Sequence, residues 1–245
     1  TVYSAKKNVR KEITVSLEGQ MKVGNESIAF HDMEVDVYGL PLTVIRSYDS
    51  RGRYTSGDFG YGWDVSTSGA TLTESCSMGT NWKVNIKSGT WSNTYSVGEK
   101  RSHIVTVNWG NGKTEKFNVS VKAPNNIAPP SLGVSLIFTA QDGTTSKLEA
   151  LGIDELMYDN GFLADLSTFD VVNINRYKLT KQDGTVYIIN KDTGVESITD
   201  TNGNVIQFTK NGVIHSAGKS ITYNRDASGR ITSIVSPTGK TVEYT

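Results

Sequence analysis

From Lys181 to Thr245 the chain repeats one kind of punctuation. Turn dipeptides fall at Asp183-Gly184, Thr193-Gly194, Asn202-Gly203, Asn211-Gly212, Ala217-Gly218, Ser228-Gly229 and Thr238-Gly239. Most of these glycines are nine to eleven residues apart, and the step from Gly212 to Gly218 is shorter. Glycine takes positive φ without a Cβ clash, as tight hairpin turns require. The runs between the turns alternate. Ile206 and Phe208 share one side of their run while Gln207 and Thr209 share the other, and Ile221 with Tyr223 and Val242 with Tyr244 repeat the pattern. A period of two bounded by glycine signals half-buried antiparallel strands. This third of the chain therefore predicts a repeated hairpin meander, and the fold class is all-β.

The bulk numbers narrow the function classes. A chain of 245 residues allows one large all-β domain or two small ones. Twenty-five basic residues balance 25 acidic ones, so no charge footprint favours nucleic acid or an anionic membrane. No apolar run approaches the ~20 residues of a membrane-spanning helix. Cys76 is the only cysteine, which rules out an intrachain disulfide and leaves the compartment open. The N-terminus, Thr1 to Arg10, has neither an initiator Met nor an apolar signal core. The C-terminus falls inside the repeat. Both features lead us to expect a piece of a longer polypeptide.

Upstream of the ladder, alternation begins at Ile13, Val15 and Leu17 and resumes at Met21 and Val23 after a turn at Glu18-Gly19, with a second turn at Gly24-Asn25. The run Ala29–Val37 sets Asp32, Glu34 and Asp36 on one strand face and Met33, Val35 and Val37 on the other. Leu42–Tyr48 is β-branched and apolar, with Leu40-Pro41 at its start, where a missing N–H costs least. In Phe59-Gly60-Tyr61-Gly62-Trp63 the glycines let backbone approach three large rings, which predicts a structural knot anchoring a loop. Strands are expected at residues 70–72, 82–86, 94–97, 103–109 and 114–121, with a turn at Gly110–Gly112. Residues 122–133 hold three prolines and read as a loop, and strand signals resume at Val134. Only residues 147–170 lean towards helix, through Leu148, Leu151, Glu155 and Leu156. Gly152, Asn160 and Gly161 interrupt them, so one short helix or none is expected.

Chemical motifs are few. Gly112-Lys113-Thr114 and Gly239-Lys240-Thr241 resemble the end of a phosphate-binding loop. However, Val107 and Ile234 stand where its first glycine belongs, and strand rather than helix follows. His31, His103 and His215 lack metal-ligand spacing. No Gly-x-Ser-x-Gly elbow occurs. Cys76 has no partner base legible in sequence, and a structural thiol is the simpler reading. Asp32, Glu34 and Asp36 read as a solvated strand face, because no loop turns the chain around a calcium ion. Asp49, Asp58 and Asp64 offer carboxylates for glycoside hydrolysis, with Trp63 as a sugar platform, but turn capping explains them equally. Trp63, Trp82, Trp91 and Trp109 are candidates for glycan contact, although strand aromatics usually pack into a sheet or its core. The sequons Asn25-Glu-Ser27 and Asn118-Val-Ser120 carry meaning only in a glycosylating host. No cofactor is implied.

Two stretches resemble a known family. Gly39-Leu40-Pro41-Leu42 with Arg46, Tyr48 and Phe59-Gly60-Tyr61-Gly62-Trp63 looks like the opening of bacterial Rhs/YD-repeat proteins. The ladder, above all Asp183–Tyr187, Ile198–Asn204 and Tyr223–Ile234 with its Gly229-Arg230, resembles the YD repeats that follow. Val15–Met21 is similar to the family's opening strand. The chain has Tyr223-Asn224 where the name-giving pair is Tyr-Asp. The resemblance implies a β-strip spiralling into a hollow shell, secreted or at the cell surface of a bacterium. In toxin-type members the shell encloses a C-terminal effector, and in teneurin-like relatives it serves surface recognition. The family's self-cleaving element lies beyond the repeats present, so no catalytic residue carries over.

These readings divide the chain into an N-terminal β region at 1–121, an irregular connection at 122–176 and a repeat strip at 177–245. The expected function is a non-enzymatic shell segment whose partners are further repeats of its own chain and an enclosed effector. A glycan- or protein-binding module is the first alternative and a glycoside hydrolase the second. A one-layer strip cannot bury its apolar face alone, so it must curl, stack on neighbours or wrap a guest. Scattered Ile, Val and Tyr suit a wall better than a dense two-sheet sandwich.

Overall fold

The computed structural model describes residues 27–66, 70–109 and 113–244. The expected alternation at Ile13–Val23, the turns at Glu18-Gly19 and Gly24-Asn25, the family-like strand Val15–Met21 and the turn Gly110–Gly112 lie outside them. Among the described residues the regular structure is strand, apart from a single 3-10 turn at Ser50–Gly52. The chain is an all-β protein.

The ladder forms most of a nine-stranded antiparallel sheet. Lys147–Leu151 opens it, and Arg176–Thr180, Val186–Asn190, Gly194–Thr199, Val205–Thr209, Gly212–His215, Ser220–Arg225, Ile231–Val235 and Thr241–Glu243 follow in chain order. Because the side-chain period is two, one register fixes one buried face. Leu148, Leu179, Tyr187, Ile198, Ile206 and His215 face one another in a single row across the strands.

The turns differ from the sequence expectation by one residue. At Gly184, Gly203, Gly218, Gly229 and Gly239, the glycine N–H donates to the carbonyl three residues back, and the residue at that position pairs with the one after the glycine. Each is a three-residue loop whose last member is a left-handed glycine, the form that matches strand twist. Asp226 shows the chemistry. Its Oδ1 accepts the Ser228 and Arg230 N–H groups at 2.9 Å, and its Oδ2 accepts Arg230 Nε at 2.9 Å. Gly229 sits at φ 83°. Asp200 repeats the arrangement with Asn202 and Asn204. The Arg230 N–H and side chain hold the Asp226 carboxyl below its ordinary 3.8, as Asn204 does for Asp200 and Thr185 for Asp183. Gly212 is a different case. It lies inside the strand Gly212–His215, where a Cβ would run into the Ile221 carbonyl oxygen, so it serves close backbone approach rather than the turn.

The apolar face of the ladder is covered by the same chain. A six-stranded sheet runs in the order Phe162–Asp165, Leu156–Asp159, Leu132–Ala140, Thr114–Lys122, Ile104–Asn108, Thr71–Glu74. Its strand Thr114–Lys122 alternates strictly, burying Glu115, Phe117, Val119 and Val121. These apolar residues, with Leu72, Val105 and Val107, share one core with Tyr177, Leu179, Ile189 and Val195 of the ladder. A five-stranded sheet, in the order Ser27–Val35, Leu42–Asp49, Trp63–Ser66, Gly60–Tyr61, Ser56–Gly57, covers the far half. Its Met33, Leu42 and Val44 join Ile206, Val213, Ile221, Ile231 and Ile234 in a second core. The remaining hairpin pairs Trp82–Lys87 with Thr94–Glu99.

One expectation needs correcting. Residues 122–176 are not an irregular connection. After a loop at 123–131 they hold Leu132–Ala140, Lys147–Leu151, Leu156–Asp159 and Phe162–Asp165. Their helical spacing arises because Leu148 and Leu156 belong to strands of different sheets. The ladder takes one of the expected courses: where described, it stacks on two sheets of its own chain, which bury most of its apolar face.

Candidate functional site

The family-like residues converge on one place, where the five-stranded sheet meets the end of the ladder. Strand Ser27–Val35 carries a bulge between His31 and Met33. The bulge breaks the expected alternation and turns Asp32 away from Glu34 and towards Arg46. Arg46 Nε donates to Asp32 Oδ2 at 3.1 Å, and Tyr244 donates its hydroxyl to the same oxygen at 2.7 Å. Four rings surround the guanidinium. Its carbon lies 5.2 Å from the centre of Phe30, 5.3 Å from Trp63, 5.2 Å from Tyr244 and 5.9 Å from Phe59. Phe59 meets Tyr244 edge-on at 4.7 Å, and Tyr48 packs on Trp63 at 5.2 Å. An arginine enclosed by ring faces and paired with a carboxylate is attracted by both the quadrupoles and the charge. Burial, then the Asp32 hydrogen bond, pushes the Tyr244 phenol up, so it remains a donor.

A second clasp lies beside the first. Asp58 Oδ1 pairs with Arg225 Nη1 at 2.7 Å, and the Asp58 carbonyl accepts the Ile231 N–H at 2.6 Å. Arg225 also donates to the Gly229 and Lys210 carbonyls. Gly62 is at φ 75°, and a Cβ there would lie 2.7 Å from the Tyr48 ring. Gly60 is at φ 119° beside it. Gly39 leaves no room for a Cβ against the Asp200 and Asn204 side chains, so the Gly39-Leu40-Pro41 segment rests on a ladder turn. Leu40 packs against both cores, and Pro41 is exposed just before strand Leu42–Asp49. The sequence motif thus encodes a clasp between sheets. Asp32, Arg225 and Tyr244, which complete it, carry no local signal.

Between the two cores opens a cleft of about 730 Å³ whose lining includes Phe208, Tyr223, Arg176, Glu196, Gln207 and Lys210. Arg176 pairs with Glu196 at 2.7 Å. The Tyr223 hydroxyl is buried without a hydrogen-bond partner among the described residues, and burial pushes its phenol up. Of the family-like residues of the ladder, Gly229 and Arg230 close the turn that follows, while Tyr223 faces the core.

The four tryptophans do not share a face. Trp82 is fully buried, stacked on His103 at 3.9 Å and donating Nε1 to the Met78 carbonyl, so it touches no glycan. Trp63 is enclosed by the clasp. Trp109 is half-buried, with Lys181 Nζ over its ring at 4.2 Å, Tyr187 edge-on at 5.1 Å and Nε1 donating to Glu115. Only Trp91, 97 % exposed in the loop of its hairpin, offers a free ring. Of the carboxylates weighed for hydrolysis, Asp58 is ion-paired and Asp64 accepts the Asp58 N–H at 2.9 Å. Among the described residues, no group of three His, Cys, Asp or Glu is placed to hold a metal ion. No helix among them is long and apolar enough to cross a membrane. The Cys76 thiol meets the Ser102 carbonyl at 3.7 Å.

Comparison with protein-family models finds no match, and comparison with curated proteins finds none either.

Proposed function

We propose that the chain is a non-enzymatic structural segment of a Rhs/YD-type shell, and that the described part is a filled end of that shell. The observation that carries this reading is the repeated turn unit on a one-sided sheet. The same three-residue loop, capped by the side chain at its start, recurs along the meander. Such a unit can be added repeatedly to a strip, because within the sheet each strand pairs only with its neighbours in sequence. The family-like motif supports the reading by its place, since it clasps a covering sheet to the strip. With the inner face occupied by the chain's own sheets, a guest effector belongs against repeats outside this segment.

Electron microscopy of the native polypeptide carrying this chain tests the reading. The expected image is a hollow β-shell with residues 27–244 filling one end. Isolated globules with no enclosed volume contradict it.

A second reading, a surface-binding module, draws on Trp91, whose free ring suits stacking on a sugar or a partner side chain. A glycan array separates the two. Binding lost on Trp91→Ala supports the module, and silence across the array supports the wall.

A further inference from the structure

One polar cluster away from the clasps has a reactive composition. Glu74 ends strand Thr71–Glu74, and its side chain is 8 % exposed. The Tyr177 hydroxyl, on the inner face of the ladder, donates to Glu74 Oε1. Lys191 Nζ lies 3.4 Å from Glu74 Oε2 and 3.0 Å from Asn173 Oδ1. The backbone fixes this meeting: the Lys191 N–H donates to the Asn175 carbonyl at 2.7 Å, two residues from Asn173. An amine, a carboxamide and a shielded carboxyl are therefore held together by three separate segments. The amine nitrogen is hydrogen-bonded to the oxygen carried by the carboxamide carbon it would attack, and holding two reacting groups together in this way raises their effective concentration by orders of magnitude.

We propose that Lys191 and Asn173 become joined by an intramolecular isopeptide bond, with Glu74 carrying the proton. Glu74 takes a proton from the Lys191 ammonium. The neutral amine attacks Asn173 Cγ, and the Nζ–Cγ bond forms. The protonated Glu74 delivers its proton to Nδ2, the Cγ–Nδ2 bond breaks and ammonia departs; Glu74, again a carboxylate, takes the second proton from Nζ and passes it to the departing ammonia, which leaves as ammonium. One amide is exchanged for another and no oxidant or co-reactant is needed. Tyr177 positions the carboxyl by holding its other oxygen. Asn173 lies at the surface, which gives the ammonia an exit. The product ties the segment before the ladder's second strand to the second turn of the strip, beside the hydrogen bond that the Lys191 N–H already makes to the Asn175 carbonyl.

Intact-mass measurement of the purified protein, followed by peptide sequencing of a tryptic digest, tests this. The wild type is expected to be lighter than its sequence by one ammonia, about 17 Da, with a branched peptide joining Lys191 to Asn173. Lys191→Arg and Asn173→Ala should each restore the full mass, and Glu74→Gln should leave most of the chain unjoined. Asn173→Asp keeps the fold and changes the leaving group, so its deficit becomes one water, about 18 Da. A wild type at full sequence mass overturns the proposal. So does a deficit that survives in Lys191→Arg, which would mark cyclisation at an Asn-Gly pair such as Asn202-Gly203. Full joining in Glu74→Gln overturns the proton-carrier role.

Discussion

The two halves of the ladder sheet are sealed by different physics. The half from Lys147 to Thr199 lies under the six-stranded sheet, and its contacts are mainly apolar, Phe117, Val119, Leu156 and Leu163 against Tyr177, Leu179, Ile189 and Val195, with Glu74 bonded to Tyr177 and Lys191 as a polar link at one side. The half from Val205 to Glu243 lies under the smaller sheet, with fewer apolar residues in its core. There the closure is completed by Asp32–Arg46–Tyr244 and Asp58–Arg225. Apolar area does most of the holding for a broad sheet, whereas a narrow sheet with little area to bury depends more on directional contacts to fix its position. The first half should therefore respond to lost volume, and the second to lost charge.

The largest effect is expected in the first half. Phe117 is fully buried between the two sheets. Phe117→Ala should cost about 3–5 kcal/mol by denaturant unfolding, with no dependence on salt. In the second half Arg46→Ala leaves Asp32, at 9 % side-chain exposure, without its cation. A loss of about 2–3 kcal/mol is expected, shrinking as salt rises. Equal salt dependence of the two variants would break the contrast. Between these seals lie the turns, which belong to neither half. Gly229→Ala forces a side chain into a left-handed position that has open space around it, so only the backbone strain of about 1 kcal/mol should appear.

The turn carboxylates give the ladder a pH response of its own. Asp183, Asp200 and Asp226 have folded values held below the ordinary 3.8 by local hydrogen bonds. A depressed folded value means that the contribution is complete above the unfolded value and is lost as pH falls through the folded one. Acid titration of wild type against Asp226→Asn should show a stability difference near neutrality that closes below 3.8. A difference that persists at lower pH would remove the carboxylate from the account. The smallest effect belongs to Trp91→Ala, which should stay within about 0.5 kcal/mol because the ring touches little.

The regular half of this architecture was legible because it is local. Alternation and glycine spacing name the ladder strands, and Asp226 with Gly229 names a turn, all within a few residues. The Phe59–Trp63 knot was legible as a knot for the same reason: glycines beside rings mean close packing. Its partners were not legible. Tyr244 reaches Asp32 across 212 positions, and Tyr177 reaches Glu74 across 103. No periodicity records such pairings. The bulge at Asp32 was hidden too, since one unpaired residue inverts a face without altering the alternating pattern. The strand Leu132–Ala140 announced itself from Val134, but those at Lys147–Leu151, Leu156–Asp159 and Phe162–Asp165 were missed because they are short and divided between sheets, so their apolar residues fall at helix-like intervals. Trp82 and Trp91, nine positions apart in one hairpin, differ completely in burial, which composition does not reveal.

Hydrogen exchange on Arg46→Ala tests the two-seal account most directly. If the seals are separate, amides in Ser220–Arg225 and Ile231–Val235 lose protection, while those in Arg176–Thr180 and Val186–Asn190 keep wild-type protection. Equal loss across both sets of strands would show a single cooperative seal and contradict the account.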